Sequence, residues 1–487
     1  MRRLGWTLLL ASLVVIGCGS KTNGGGGGGG DGGSNHNGPD ACSGLGCQIT
    51  NCTAMNMPPT SISGTVWAPN GTLPLDEVNV YIPNSTSPLP AFTSGVQCQT
   101  CSEPLPGNPI VTVTSGATGS AGSFTLNNIP DGTDIPVVIT IGKWRRQLKI
   151  ANVAKCTNTP LATADTSLPK GADDMSPNTT GVDLPNIAIS TGEADALECL
   201  VRKLGIEDKE ISTANQAGHI HLYADTGAGQ NEGADKFASG FAGGTGNFAD
   251  SQASLWGGTT GSGDLSLYDI VIFSCEGDQV ESTKSQNAMN NVEAYADNGG
   301  RIFMSHWHNI WIEGSTEDGT GNQKPTEWVN MATFNDNGQD PGGSVIDNID
   351  TNADDNPKGQ LFANWMQDPG VMGSTTLGDI ALQPQSAKQT ATGVNGSAGT
   401  ERWVNLDPTG ADFPQMFQFN TPVSATADAQ CGKVVFSDMH VSGGTGESTS
   451  SPGTAYPGGC STQPLDAQEK ALAFMFFDIS TCAGTIL

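Results

Sequence analysis

Short β-branched runs alternate with turn residues over the first half of the chain, at 62–67, 78–82, 110–114, 123–126, 136–141 and 147–150. Side chains two residues apart share a strand face, so Phe124 and Leu126 are expected on one side. No stretch between 58 and 155 carries a helical period, and the pattern predicts an antiparallel β-sandwich over 58–184. From Pro185 the pattern changes. An apolar run at 187–190 is followed by the turn Thr191-Gly192, then by Leu197, Leu200, Val201 and Leu204 at helical spacing before Gly205. Further strands are expected at 219–223, 269–273, 301–305 and 433–437. Met289, Val292 and Ala296 mark one helix, and Leu465, Leu472 and Phe476 a closing one. Alternating strands and helices predict a mainly parallel sheet covered on both faces, a three-layer α/β domain over 185–487. Residues 313–402, rich in Asn, Asp and Gly, read as an insertion between its fourth and fifth strands.

The first 57 residues carry neither pattern. Residues 1–17 combine Arg2 and Arg3 with an apolar run too short to span a bilayer, the signature of an export signal. The leader ends Val15-Ile16-Gly17-Cys18, which resembles a bacterial lipobox. The resemblance implies a lipidated Cys18 as the new N-terminus, a membrane partner through that anchor and, with Gly19 rather than Asp following, the outer membrane. Residues 18–40 include seven consecutive glycines, Gly24 to Gly30, and read as a flexible tether with a reach of roughly 25 Å. Cys42, Cys47 and Cys52 make 41–57 a cysteine-rich neck.

Composition narrows the partners. The chain has 487 residues and a formal charge of −28, which repels phosphate backbones and argues against nucleic acid. Of twelve cysteines, removing Cys18 leaves an odd number in an oxidising compartment, so disulfides and at least one free thiol are expected. The candidate for that thiol is Cys275. Lys143, Arg145, Arg146 and Lys149 crowd around Trp144. They read as a charge-guarded edge strand, a seam to the acidic second domain, or an anion or polysaccharide contact.

Two family resemblances follow from particular residues. Gly64-Thr-Val66 and the run from Gly122-Ser-Phe124 to Gly132 resemble the carboxypeptidase regulatory-like, transthyretin-like sandwich, a carbohydrate-binding-like fold; this implies adhesion or spacing. The segments Tyr268 to Phe273, Ala294 to His306 and Gly432 to His440 resemble the trehalose-utilisation branch of the class I glutamine-amidotransferase-like, flavodoxin-like fold. Both domains behind a lipobox resemble a class of secreted bacterial lipoproteins. The amidotransferases carry a G-x-C-x-G elbow after the fourth strand. Here Phe303 and Trp307 stand in the places of its glycines and no cysteine lies between them, so glutaminase chemistry is not expected.

Ligands of open α/β sheets bind at the carboxyl ends of the strands. Cys275, His306, His308 and His440 each follow a strand and are expected to converge there. One reading is a hydrolase of sugar derivatives, with Cys275 as thiolate, His440 or His306 as base and Glu276 as orienter. A second is a metal site on His306 and His308, completed by His440 or Cys275; His219 and His221 share the spacing. A third is recognition without catalysis, with Trp307 and Trp311, and Trp256, Trp328, Trp365 and Trp403 nearby, offering faces to a sugar. The expected function is a surface-anchored, non-catalytic lipoprotein that binds carbohydrate or an envelope component. The sequence leaves any cofactor unidentified.

Overall fold

The computed structural model describes residues 44–225, 233–258, 260–315, 327–335, 346–383, 385–406, 413–441 and 454–483. The expected leader, Cys18 and the tether lie outside these residues. The chain is a mostly β, multi-sheet protein with antiparallel and mixed sheets and a few helices.

Two sheets come from the first half. Five antiparallel strands stand in the order Pro109–Thr114, Asn79–Pro83, Ile135–Ile141, Trp144–Ile150 and Thr179–Asp183. A three-stranded sheet sets Ser61–Thr65 between Ser123–Asn127 and Asn158–Pro160. Along Ser123–Asn127, Phe124 and Leu126 are buried while Thr125 is exposed, the period-two pattern that drives apolar residues to one face. They join Ile62, Val80, Val137 and Leu148 in the core.

The large sheet has eleven strands. Its parallel part contains, in chain order, Ile187–Ser190, Ile220–Ala224, Ile270–Phe273, Arg301–Ser305 and Gly432–Ser437, here called the first to fifth parallel strands. In space they stand second, first, third, fourth, fifth, with Ile211–Ser212 outside the second. The first, third, fourth and fifth are buried along their whole length, as a covered parallel sheet requires, while the second leaves His221 partly exposed. Beyond the fifth, Phe413–Thr421, Glu401–Leu406, Ile346–Ile349 and Asp379–Ala381 continue the sheet antiparallel. Much of the stretch expected as an insertion therefore widens the sheet, and the excursion between the fourth and fifth parallel strands runs past 402, through Phe413–Thr421.

Helix Gln286–Asp297 is capped by the Ser285 hydroxyl, which accepts the Ala288 N–H, and buries Met289, Val292 and Ala296 as their spacing predicts. The closing helix Ala467–Asp478 starts at a capping box of Asp466 and Glu469. Its Phe476 and Phe477 pack on Trp144, with ring centroids 6.2 and 6.0 Å away, and so tie the first half to the second.

The basic run lies inside a sheet and not at its edge, because Thr179–Asp183 covers it. Three of its four cations, Lys143, Arg145 and Arg146, are buried and partnered. Lys143 bonds the carbonyls of Thr93 and Gly95 and pairs with Asp269 at the start of the third parallel strand. Arg145 pairs with Asp183 and lies over the Phe92 ring at 4.0 Å; Arg146 pairs with Asp174. Only Lys143 makes the expected seam, and none of these three is free for an external anion.

Disulfides join Cys52 to Cys156, Cys98 to Cys431, Cys101 to Cys482 and Cys199 to Cys460. Cys98 and Cys101 are thus not partners; each fastens the same loop to a different part of the second half. Among the described residues Cys275 is the free cysteine.

Candidate functional site

Parallel pairing in register aligns the strand ends. Ile187, Ile270, Arg301 and Lys433 lie side by side, and so do the residues that follow them. The residues after the third, fourth and fifth strands therefore share one rim, and the structure gathers Cys275, His306 and His440 there. One nitrogen of each imidazole and Cys275 Sγ lie within 4.8 Å of one another. The Sγ to His306 Nδ1 distance is 3.6 Å, and the two imidazole centroids are 5.2 Å apart. His306 turns directly off its strand at φ 25°, a left-handed conformation costly for a branched side chain. Gly192, after the first strand, admits the Cys275 carbonyl: a Cβ there would come within 2.2 Å of its oxygen.

Loops and the closing helix hold the cluster. His306 Nε2 is 2.6 Å from Thr390 Oγ1. Asp438 accepts the N–H groups of Thr390 and Ala391. The His440 N–H donates to the Ser386 carbonyl, and the Gln468 amide donates to the His440 carbonyl. Asp195 accepts from the Ser305 hydroxyl and the Val441 N–H.

Burial sets the electrostatics. Cys275 has 0% exposure, and loss of solvation pushes its thiol well above the ordinary range despite backbone N–H groups of Trp307 and Gly277 directed at the sulfur. Burial also drives His306 and His440 far below the usual imidazole range, helped for both by the Lys388 charge and for His440 by His306, so both are neutral. Asp438 is raised to about 7 by burial, against the two N–H groups it accepts. A protonated thiol beside neutral imidazoles, sealed from solvent, is not an activated nucleophile.

His308 and Glu276 belong to a second, separate network. His308 Nε2 donates to the Ser274 carbonyl at 2.9 Å and lies 3.2 Å from Glu276, and its Nδ1 accepts the Trp311 N–H at 2.9 Å. Glu276 also pairs with Lys284 at 2.6 Å, and Lys284 sits over Trp256 and Trp311. Glu276 is pushed well upward by burial first and by Asp225 next. The expected His306–His308 pair is therefore divided between two networks, because 306–309 form a 3-10 turn, in which residues two apart are rotated by about 240° and point in different directions. Glu276 engages His308 and not the imidazoles beside Cys275. His219 precedes its strand, bonds Glu210 and lies at the other end of the sheet.

The expected tryptophan platform is not at the surface. Trp256, Trp311, Trp328, Trp365 and Trp403 are core residues; of the six named, only Trp307 keeps partial exposure, its ring 4.5 Å from that of His306. Asp350, within the Asn-, Asp- and Gly-rich stretch 313–402, is held by Arg402 at 2.7 Å. Thr390, Asp438, Asp195 and Gln468 went unrecognised in the sequence. Asp438 could have been found from its place in Ser437-Asp-Met-His440 after a strand, whereas Thr390 carries no local signal.

An open cleft lies elsewhere. About 740 Å³ in volume, it is lined by Asn70 and Thr72 from the first half, by Arg202, Lys203 and Lys470, and by Gln463 ahead of the closing helix. Arg202 pairs with Asp208 and Lys203 with Glu469, so both charges are held in place.

No protein-family model matches this chain, and no curated protein matches it. Among solved structures it is similar to a ThuA-like protein from Bacteroides uniformis ATCC 8492, with 12% identity over 60% of this chain and 88% of that one. The TM-score of 0.28 is too low to assign a shared fold.

Proposed function

We propose that this chain is a lipid-anchored, extracytoplasmic binding protein. It combines a transthyretin-like sandwich with a flavodoxin-type, trehalose-utilisation-like domain that has no amidotransferase chemistry. The parallel strand order second, first, third, fourth, fifth supports the flavodoxin-type reading. The lipobox at Cys18 and the disulfides support an oxidising location at the outer membrane.

The observation that carries binding over catalysis is the separation of chemistry from access. The cysteine and histidines are sealed, while the open cleft holds hydroxyl, amide and fixed charged groups beside Leu73, Ile206 and Met372. Polar donors and acceptors beside short apolar surfaces match a sugar's alternation of hydroxyls and C–H faces. The ligand is a carbohydrate of the cell envelope, in place of the polynucleotides that the acidic surface repels.

Glycan-array screening of the full mature chain tests this. Thr72 and Gln463 are exposed on the cleft, so Thr72→Ala with Gln463→Ala is expected to lower affinity about tenfold or more without affecting the fold. Cys275→Ser is expected to leave affinity unchanged. Turnover of a sugar derivative that disappears in Cys275→Ser would overturn the proposal in favour of a hydrolase.

A further inference from the structure

We propose that Cys275 Sγ, His306 Nδ1 and His440 Nε2 form a binding site for a single zinc ion, apart from the cleft to which sugar binding is ascribed. Zinc takes thiolate sulfur at about 2.3 Å and imidazole nitrogen at about 2.0–2.1 Å, so tetrahedral geometry places sulfur and nitrogen about 3.6 Å from each other. The Sγ to Nδ1 separation is 3.6 Å, and one nitrogen of each imidazole lies with Sγ within 4.8 Å. Closing His440 onto the ion takes a shift of up to about 1.5 Å, from 4.8 Å to the nitrogen–nitrogen separation of a tetrahedral zinc site.

A second observation points to a ligand. His440 is 3% exposed, yet its Nε2 has no hydrogen-bond partner. A buried imidazole nitrogen left unpaired is costly unless something fills its lone pair. The outer groups suit coordination as well. Thr390 Oγ1 at 2.6 Å can take the proton on His306 Nε2, which fixes the tautomer that presents Nδ1 to the ion. The backbone N–H groups of Trp307 and Gly277 directed at Sγ stabilise a thiolate. The Asp195 carboxylate and the Lys388 ammonium both act electrostatically on the thiol, in opposite directions. Trp307, half-buried, packs its ring 4.5 Å from that of His306 and covers the cluster on that side.

On binding, the Cys275 S–H bond breaks and its proton goes to solvent as the sulfur–zinc bond forms. Both imidazoles, already neutral, give lone pairs and release nothing.

Cobalt titration of the full chain, stripped of metal and with its disulfides intact, tests the site. Thiolate ligation to Co²⁺ gives a near-ultraviolet charge-transfer band, and tetrahedral coordination gives strong visible bands. The expected result is both bands, saturating at one equivalent, displaced by Zn²⁺, absent in Cys275→Ser and retained in His308→Gln. His440→Gln is expected to weaken Co²⁺ binding at least tenfold, which reads the site in a variant that keeps the thiol. Where Cys275→Ser does not fold, X-ray absorption at the zinc edge of the unaltered chain loaded with one equivalent of Zn²⁺, showing one sulfur neighbour at about 2.3 Å, supplies the same result. Absence of the charge-transfer band in the folded, unaltered chain overturns the proposal, as does a band that survives Cys275→Ser. Sugar binding is read separately on the array, so failure of either reading leaves the other standing.

Discussion

At the scale of single residues, burial decides what a chemically capable side chain can do. Cys275 and the two imidazoles beside it are reactive in type, but loss of solvation holds the first protonated and the others uncharged. The same effect acts on Asp76, which accepts the Gly122 N–H at 2.6 Å and whose pKa is raised to about 6, chiefly by burial. The folded state holds this proton more tightly than the unfolded chain. Its contribution is therefore full below an unfolded value of about 4 and is lost as pH rises through about 6. Asp76→Asn keeps an acceptor for Gly122 but cannot ionise. Compared by urea denaturation on either side of that window, the unaltered chain should lose about 1–2 kcal/mol relative to Asp76→Asn, after allowance for partial exposure. Equal slopes in both proteins would remove Asp76 from the account.

At the scale of elements, local pattern was a good guide to strands and a poor one to surfaces. The apolar runs ending at Ser190, Phe273, Ser305 and Ser437 are strands because a sheet buried on both faces demands continuous apolar stretches, and that demand is written locally. The helix faces of Met289, Val292 and Ala296 follow from spacing in the same way. Convergence of Cys275, His306 and His440 was legible because parallel pairing puts every carboxyl end on one rim. What was not legible depends on contacts distant in sequence. Nothing near Trp144 says that Phe476 and Phe477 will cover it, and nothing near Arg145 says that its sheet has another strand beyond. Nor does the composition of 313–402 say that it supplies edge-extending strands. The Trp144 contact is itself testable. Trp144→Ala opens a void between the first-half sheet and the closing helix and should cost about 3–5 kcal/mol by chemical denaturation, with Trp144→Phe costing much less. A cost below about 1 kcal/mol would mean that this seam does not couple the two halves.

At the scale of the molecule, two long-range disulfides bind the loop carrying Cys98 and Cys101 to the second half, and the buried Lys143–Asp269 pair ties a separate turn to it. Cys98 and Cys431 are separated by 333 residues and Cys101 and Cys482 by 381, so each constrains a very large loop of the unfolded chain. Replacing Cys98 and Cys431 by serine should lower stability by about 2–5 kcal/mol. An unchanged denaturation midpoint would contradict the connection. These ties hold the cleft walls, which come from both halves, in a fixed relation, and rigid walls reduce the entropy lost when a ligand is bound.

The central claim is that the strand ends bring a thiol and two imidazoles together in a sealed, uncharged cluster and leave ligand binding to the open cleft. The most direct measurement is the pH dependence of Cys275 alkylation in the native chain, followed site by site by mass spectrometry. Negligible modification up to about pH 8, with rapid modification only after unfolding, is the predicted result. Fast alkylation of the folded protein, rising through an apparent pKa below about 7, would reveal an activated thiolate and contradict it.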